Sequence, residues 1–260
     1  MNNFRGLLSE LQIPTNSGLE NKFKVFKSNI ELTDTQKKQI QSSHAYLRTL
    51  IERQNYVSNT FLTGSYKKNT MIRPIDDVDL FVVVNNGYTV SSSPQTVLNQ
   101  LKKDLKVSFP KTSIKQNKPC IIVDFNHCKF EITPTITNLW GSYEIPLDSY
   151  SWKSVDDPRI LENKLSVKNS QLNNRLIPLI KMMKKCARHC NIDSTSYLLE
   201  ELALNLYQVN SYRDGIQKLL EIYQWKDTSN PNYYSYIKNM TDNEFAYYCR
   251  NTLFGQEFPG

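Results

Sequence analysis

Hydrophobic residues follow a helical period in the first part of this 260-residue chain. Ile40, Leu47 and Ile51 recur at the spacing of one helix face, and Thr33 or Asp34 is suited to cap that helix at its N-terminus. We therefore predict an amphipathic helix that packs against the rest of the fold.

From Val57 onward the pattern changes to short apolar runs separated by turn residues, which is typical of β-strands. The runs that predict strands of one sheet are Phe61-Leu62, Val78 to Val84, Cys120 to Phe125 and Phe130 to Ile132. One amphipathic helix, at about Pro94 to Val107, interrupts this series. A stretch rich in Tyr, Trp, Pro and Asp, from Trp140 to Pro158, is predicted to be irregular.

Helical spacing returns in the remaining part of the chain, from Arg159 to Cys190 and from Thr195 to Val209. The order of helix, mixed sheet and helices predicts an α+β fold. We expect residues 1–158 to form a core that includes the N-terminal helices. Residues 159–260 are expected to form a helical lobe that closes a ligand cleft.

Composition and charge indicate where the protein works more clearly than they indicate its activity. A net charge of +7 and a pI near 9.0 favour, weakly, a partner that carries phosphate groups. The longest apolar run, Leu80 to Val84, is too short to cross a bilayer, and Met1 to Arg5 lack the layout of a secretory signal. Five cysteines without an export signal indicate reduced thiols. We expect a cytoplasmic protein with no membrane segment.

The most informative stretch joins a Gly-Ser turn to a pair of carboxylates. Gly64-Ser65 follows a predicted strand, where the backbone can approach a phosphate closely if a helix opens there. Asp77 and Asp79 begin the next strand one residue apart and therefore share a face, which suits Mg²⁺. Together they predict phosphoryl transfer from a nucleoside triphosphate. The ordinary structural alternative is a surface loop followed by an acidic strand start.

The string from Gly64 to Val84 resembles the signature of the polymerase β-like nucleotidyltransferases, in which Gly-Ser precedes Asp-x-Asp on a strand. The resemblance implies that family's fold, a mixed sheet packed against a C-terminal helical lobe, and a third carboxylate on a neighbouring strand. Glu131 matches the family pattern of an acidic residue, two further residues and a proline, although most relatives carry Asp there. Asp124 is the alternative third carboxylate.

Three further segments resemble the bacterial cyclic-oligonucleotide synthases, or CD-NTases, relatives of cyclic GMP-AMP synthase and oligoadenylate synthase. The segments are Tyr143 to Pro146 with Trp152 and Asp157-Pro158, Leu179 to Lys181, and Ser196 to Glu200. The resemblance implies that Lys181 and Ser196 contact the donor triphosphate and that Tyr197 stacks on a base. Lys184 is an alternative or additional phosphate ligand. Singly, each of these residues is more often structural.

The sequence gives weaker support for two further binding features. Lys68, beside the Gly-Ser turn, is predicted to bind a phosphate with Gly64 and Ser65, although a basic loop is more often solvated. Cys186, His189 and Cys190 lie at helical spacing, but the paired Cys-x-x-Cys motif of zinc sites is absent, and we expect no structural zinc.

The predicted mechanism is two-metal nucleotidyl transfer. Asp77, Asp79 and Glu131 are expected to hold two Mg²⁺ ions, for which Mn²⁺ can substitute. The resemblance implies a cyclic di- or trinucleotide second messenger made from ATP, GTP or pyrimidine nucleoside triphosphates. It also implies antiphage (CBASS) signalling through a downstream effector that senses this product.

Two other functions remain open. A template-independent transferase acting on an RNA 3′ end, a protein or a small molecule would share the metal site, and only this reading allows a nucleic-acid partner. A nucleotide sensor without turnover is disfavoured, because a binder has little reason to gather carboxylates that repel one another.

Overall fold

The computed structural model describes residues 17–85, 92–117, 119–138, 142–225 and 230–260. Its helices are α1 (Ser17–Ile30), α2 (Asp34–Ile51), α3 (Gly64–Lys67), α4 (Pro94–Ser108), α5 (Pro158–Gln171), α6 (Leu176–His189), α7 (Ser196–Ala203), α8 (Tyr212–Ile222), α9 (Tyr233–Asn239) and α10 (Asp242–Tyr248). Short helical turns follow at Cys249–Leu253 and Gly255–Glu257. The strands are β1 (Val57–Leu62), β2 (Asp77–Val84), β3 (Ser113–Asn117), β4 (Cys120–Phe125), β5 (Cys128–Thr137), β6 (Tyr143–Pro146) and β7 (Trp152–Val155).

The strands form a mixed sheet in the order β1-β2-β5-β4-β3, with β6 pairing to β5 and β7 pairing to β6. Strands β2 and β5 are parallel, and the other pairs are antiparallel. This confirms the predicted α+β fold with a mixed sheet.

One face of the sheet is apolar and packs against helices. Val78 and Leu80 of β2 and Phe130 and Ile132 of β5 are fully buried there. Helices α2 and α4 contribute Ile40, Leu47, Leu98 and Leu101 to this core. Because side chains alternate between the faces of a strand, the residues between these positions point to the other face. The predicted site residues of β2 and β5 lie on that second face.

The helix predicted near Ile40 is confirmed as α2. Thr33 is its N-cap: the Thr33 hydroxyl accepts a hydrogen bond from the Gln36 N–H, and the Gln36 side chain accepts one from the Thr33 N–H. A reciprocal cap of this kind satisfies two backbone donors at the start of a helix. The polar residues before the apolar stripe therefore fix where the helix begins.

Other elements differ from the prediction. The segment predicted to be irregular contains the hairpin of β6 and β7, and Trp140 at its start lies outside the described residues. The helix predicted from Arg159 to Cys190 is two helices, because Asn173 and Asn174 adopt positive φ angles of 51° and 60° between them. Asparagine tolerates this left-handed conformation better than most residues do.

The described residues divide into two compact units. The nucleotidyl unit, named here for its predicted chemistry, is Glu31–Ile177, and the helical unit joins the helix of the first 30 residues to Pro178–Gly260. This division differs from the predicted boundary between residues 158 and 159. In the helical unit Phe23 and Phe26 of α1 pack against Phe254 and Phe258 at ring-centroid distances of 4.6–5.4 Å. These aromatic contacts explain why α1 groups with the C-terminal helices rather than with the sheet.

Helix α5 belongs to the nucleotidyl unit although the prediction put it in the lobe. Its residue Arg159 donates a hydrogen bond of 2.9 Å to the Tyr143 hydroxyl and lies over the rings of Phe61 and Tyr143. Glu162 of the same helix pairs with Lys67 at 3.3 Å. No helix among the described residues is long and apolar enough to span a membrane.

Candidate active site

Three carboxylates lie side by side on the face of the sheet opposite the apolar core. In the parallel pairing of β2 with β5, Asp79 is directly opposite Glu131 and Asp77 is opposite Lys129. All four residues share one face, because each lies between two buried apolar neighbours of its strand or at the start of that alternation. Sequence spacing predicts the Asp pair, and the parallel register adds Glu131 beside it.

The Gly-Ser turn is built directly against Asp79. Gly64 begins α3 with a φ angle of +67°, and a Cβ atom added there would lie 1.7 Å from Oδ2 of Asp79. The backbone N–H of Thr63 also donates to the Asp79 carbonyl at 3.0 Å. Only glycine fits at this position, since a side chain would be strained and would displace the carboxylate.

Ser65 and Lys68 complete this turn. The Ser65 carbonyl accepts hydrogen bonds from the N–H groups of Thr70 and Met71 at 2.9 and 3.1 Å, which folds the following loop back onto α3. Burial is the largest cause that raises the pKa of Asp79, and Lys68 lies close enough for its positive charge to offset part of that rise. The turn thus brings one cation to the edge of the acidic cluster.

The carboxylates raise one another's pKa values. Burial is the largest cause for Asp79, followed by the charges of Glu131 and Asp77, and together they raise its pKa to about 6. The pKa of Glu131 is raised by burial and by Asp77, and that of Asp77 by burial and by Asp76. Such a cluster favours binding a cation that neutralises it, and its oxygen ligands are those that Mg²⁺ prefers.

The three carboxylates do not form a preassembled metal site. Within the described ranges, no group of three or more His, Cys, Asp or Glu side chains is already arranged to hold a metal ion. The residue types and the shared face fit a divalent ion, and the three side chains would have to converge on it.

Asp124 occupies a different place from Glu131. It lies on β4, opposite Lys129, and is exposed, whereas Ile122 is the β4 residue opposite Glu131. Strand β5 therefore separates Asp124 from β2. The register favours Glu131 over Asp124 as the neighbour of the Asp pair.

The remaining predicted nucleotide ligands are in the helical unit. Lys181 of α6 is buried at 3% exposure, and Lys184, one turn later, forms a buried ion pair with Glu200 at 2.7 Å. That pairing gives Lys184 a structural role within the unit. Ser196 is the exposed first residue of α7, and Tyr197 is half-exposed at 52%. Thr195, not Ser196, caps the helix through the Leu198 N–H. That Lys181, Ser196 and Tyr197 contact a nucleotide stays a prediction.

The cysteines of the helical unit are close to one another. The sulfur atoms of Cys186 and Cys190 lie 4.0 Å apart, and their hydrogen bond, together with burial, raises the pKa of the Cys186 thiol. Cys249 is also buried. The side chain of His189 lies against Gly255.

Sequence reasoning missed the lysines on the carboxylate face. Lys129 lies in register between Asp77 and Asp124, and Lys115 of β3 lies opposite Ile122 on the same face. Strand alternation from Glu131 places Lys129 on this face, so the signal was present in the sequence. Lys115 lies on β3, which the apolar pattern did not predict.

Comparisons with known proteins identify the family. A family model described as the Second Messenger Oligonucleotide or Dinucleotide Synthetase domain matches residues 18–169, more than half of the chain. The cyclic AMP-AMP-AMP synthase of Acinetobacter sp. (strain ATCC 27244 / 9458) is 29% identical over 208 residues, which cover 74% of this chain and 59% of that protein. A probable cyclic nucleotide synthase of Bacillus cereus (strain VD146) is 25% identical over 205 residues, 64% of this chain and 61% of that protein. The chain spans about three fifths of the length of these curated relatives.

Solved structures show the same fold. CdnC of E. coli MS115-1, determined with ATP, matches with a TM-score of 0.72 at 14% identity, covering 93% of this chain and 99% of that one. The DncV cyclic AMP-GMP synthase of Vibrio cholerae matches with a TM-score of 0.62 at 11% identity, covering 90% and 94%. With the family match and the carboxylate face together, the chain belongs to the Second Messenger Oligonucleotide or Dinucleotide Synthetase family, the bacterial CD-NTases that its sequence resembles.

Proposed function

We propose that this chain is a Mg²⁺-dependent nucleotidyltransferase that makes a cyclic di- or trinucleotide from nucleoside triphosphates. The observation that carries the proposal is the placement of Asp79, which lies against Gly64 on one side and opposite Glu131 on the other. A phosphate-binding turn and a set of metal-binding carboxylates meet at this residue.

The donor triphosphate binds at the Gly-Ser turn in this proposal. Because Gly64 has no side chain, the phosphates can approach the backbone of the turn closely and accept hydrogen bonds from its N–H groups. The Ser65 hydroxyl is a further donor, and Lys68 adds positive charge. Asp77, Asp79 and Glu131 hold two divalent ions, which would lower the pKa of the acceptor hydroxyl and stabilise the leaving pyrophosphate. Lys181, Ser196 and Tyr197 of the helical unit are proposed to bind the triphosphate and the base.

The chemical step forms one bond and breaks one bond. The oxygen of the acceptor 2′- or 3′-hydroxyl bonds to the donor α-phosphorus in line, and the bond from that phosphorus to the pyrophosphate oxygen breaks. The hydroxyl proton leaves to solvent. A second transfer, within the linear dinucleotide, closes a cyclic dinucleotide. A cyclic trinucleotide needs one more transfer from a third nucleoside triphosphate before the ring closes, and every transfer releases one pyrophosphate.

The names of two relatives support a cyclic di- or trinucleotide product. The Acinetobacter relative is named for a cyclic trinucleotide, and the Vibrio neighbour for a cyclic dinucleotide. We propose that the product is a second messenger in antiphage (CBASS) signalling and that a separate effector binds it.

Incubation with labelled ATP, GTP, CTP and UTP tests the proposal. Wild-type protein with Mg²⁺ or Mn²⁺ should release pyrophosphate and give a phosphatase-resistant product whose mass is that of a cyclic di- or trinucleotide. The double variant Asp77→Ala, Asp79→Ala should give none while keeping its circular dichroism spectrum. Asp124→Asn is the matched control and should retain activity, because Asp124 lies beyond β5.

Three results would contradict the proposal. Full activity of the double variant would exclude these carboxylates from catalysis. Extension of an added RNA, with no cyclic product, would favour the alternative transferase. Nucleotide binding without Mg²⁺-dependent pyrophosphate release would favour a sensor.

A further inference from the structure

Two thiols face each other where α6 ends. The sulfur atoms of Cys186 and Cys190 are 4.0 Å apart, and Cys186 is buried whereas Cys190 is exposed. The Cys190 N–H still donates to the Cys186 carbonyl at 2.9 Å, so the helical turn between the two residues is formed. Neither cysteine is among the residues proposed to bind nucleotide or metal.

A cavity of about 440 Å³ in the helical unit gives access to both thiols. Besides the two cysteines its lining includes Trp225, Tyr233 and Thr252. None of the lining residues that the structure describes carries a charged side chain. A charged molecule would lose its hydration there without gaining an ionic partner, so the cavity favours a small neutral one.

The two thiols differ in acidity. Their hydrogen bond lowers the pKa of the Cys190 thiol to about 7. The same hydrogen bond, followed by burial, raises the pKa of the Cys186 thiol. Near neutral pH a large share of Cys190 is therefore thiolate, the nucleophilic form, while Cys186 keeps its proton. An accessible thiolate beside a second thiol is the arrangement in which oxidation passes on to a disulfide.

Joining these sulfur atoms requires a local change at the end of α6. The Cβ atoms of bridged cysteines lie about 3.8 Å apart. Residues four positions apart on a helix have Cβ atoms roughly 5–6 Å apart, so the last turn must open. Asn191 already has a φ angle of +52°, so only this terminal turn is affected. A bond formed across it is strained and therefore easily reduced.

We propose that Cys190 and Cys186 form a reversible disulfide when hydrogen peroxide enters this cavity. The Cys190 thiolate attacks a peroxide oxygen, so an S–O bond forms, the O–O bond breaks, and hydroxide leaves and takes up a proton. The Cys186 sulfur then attacks the Cys190 sulfur. The S–S bond forms, the S–O bond breaks, and the oxygen leaves as water with the Cys186 proton.

In total the two thiols lose two electrons and two protons, and hydrogen peroxide becomes two molecules of water. The inference goes beyond the proposed function and does not depend on it, because no nucleotide takes part. It assigns to the helical unit a site of reversible oxidation.

Peptide mapping detects the bond directly. Folded protein is treated with hydrogen peroxide, the remaining thiols are blocked with N-ethylmaleimide in urea, and tryptic peptides are analysed by mass spectrometry without reduction. Trypsin cleaves after Arg188, so the disulfide joins peptides 186–188 and 189–213. We expect this cross-linked pair from wild-type protein and its loss after incubation with glutathione. Cys120 and Cys128, both buried, should be recovered as maleimide adducts.

Three variants test the assigned roles. Cys190→Ser should abolish the cross-linked pair and leave Cys186 unoxidised. Cys186→Ser should leave Cys190 as a sulfenic acid, which dimedone traps. Cys249→Ser is the matched control and should keep the cross-linked pair, because this third cysteine of the helical unit takes no part in the reaction. Circular dichroism checks that each variant is folded, and the exposed position of Cys190 makes its variant the safest of the three.

Three results with folded wild-type protein would overturn the inference. Cys190 and Cys186 could be recovered unoxidised after peroxide treatment, Cys249 could replace either of them in the disulfide, or the sulfenic acid of Cys190 could persist without a disulfide. Each of these results would leave the proposed function standing, since the nucleotide assay measures a separate reaction.

Discussion

Replacing Asp79 by asparagine should stabilise the metal-free protein and, under the proposed function, abolish catalysis. Burial and the charges of Glu131 and Asp77 raise the pKa of Asp79 from 3.8 to about 6. Each pKa unit corresponds to ~1.4 kcal/mol, so ionising this carboxyl costs the folded protein up to ~3 kcal/mol at neutral pH. Asparagine has nearly the same shape and carries no charge, and the variant avoids that cost.

The stability gain of Asp79→Asn should depend on pH. Since the folded pKa of Asp79 lies above its unfolded value, the protonated carboxyl contributes stability that is fully present below pH 3.8 and is lost as pH rises through about 6. The advantage of Asp79→Asn should therefore be small at pH 4 and largest above pH 7. A change of ~3 kcal/mol corresponds to roughly 6–12 °C in Tm for a domain of this size.

The assay is thermal unfolding in EDTA at both pH values, followed by circular dichroism. Asp124→Asn is the control, because that carboxylate is exposed and opposite Lys129, and it should show no comparable gain. Added Mg²⁺ should raise the Tm of the wild type more than that of Asp79→Asn. A Tm of Asp79→Asn at or below the wild-type value at pH 7.5, or a gain that persists at pH 4, would refute the reasoning.

Three further substitutions have defined outcomes. Gly64→Ala should reduce product formation in the nucleotide assay at least ~100-fold, because its Cβ would lie 1.7 Å from Oδ2 of Asp79. Gly18→Ala is the control and should leave product formation unchanged, because no atom lies within 4 Å of its Cβ. Asp157→Asn should destabilise the protein by at most ~1 kcal/mol at pH 7, because the hydrogen-bonded Arg159 guanidinium lowers the Asp157 pKa. Protonation removes that stabilisation, so the difference should shrink in urea unfolding as the pH falls below 3.8 and through the lowered pKa. Lys184→Met should lower the free energy of unfolding in urea by ~3–5 kcal/mol, because it removes the lysine that pairs with the buried Glu200 carboxylate. Adding Glu200→Gln should restore most of the lost stability, and no loss in the single variant would contradict a structural role for this pair.

Local patterns predicted the elements that hold the candidate site. The period-two alternation of Asp77 to Val84 and the Gly-Ser turn before it are properties of contiguous sequence, and both appear in the structure as β2 and α3. The Thr33 cap and the apolar stripe after it were equally local. Short-range steric and burial preferences determine such elements, so their sequence is sufficient.

The parts that were missed depend on distant partners. Strand β3 carries the polar sequence Ser113–Asn117 and forms only because β4 pairs along it. The parallel register that sets Asp79 opposite Glu131 joins residues 52 positions apart, which no local pattern encodes. The break at Asn173 and Asn174 needed their backbone angles, which amphipathic spacing does not show.

The order in which the chain is synthesised separates α1 from side chains that bury it. Phe23 and Phe26 are made more than 220 residues before Phe254 and Phe258, the aromatic residues that pack against them. Until those residues are made, the two apolar rings lack these partners, a situation in which nascent proteins engage chaperones or aggregate. A fragment meant to reproduce the helical unit would need residues 17–30 joined to it, since a version starting at Pro178 would lack part of its own interior.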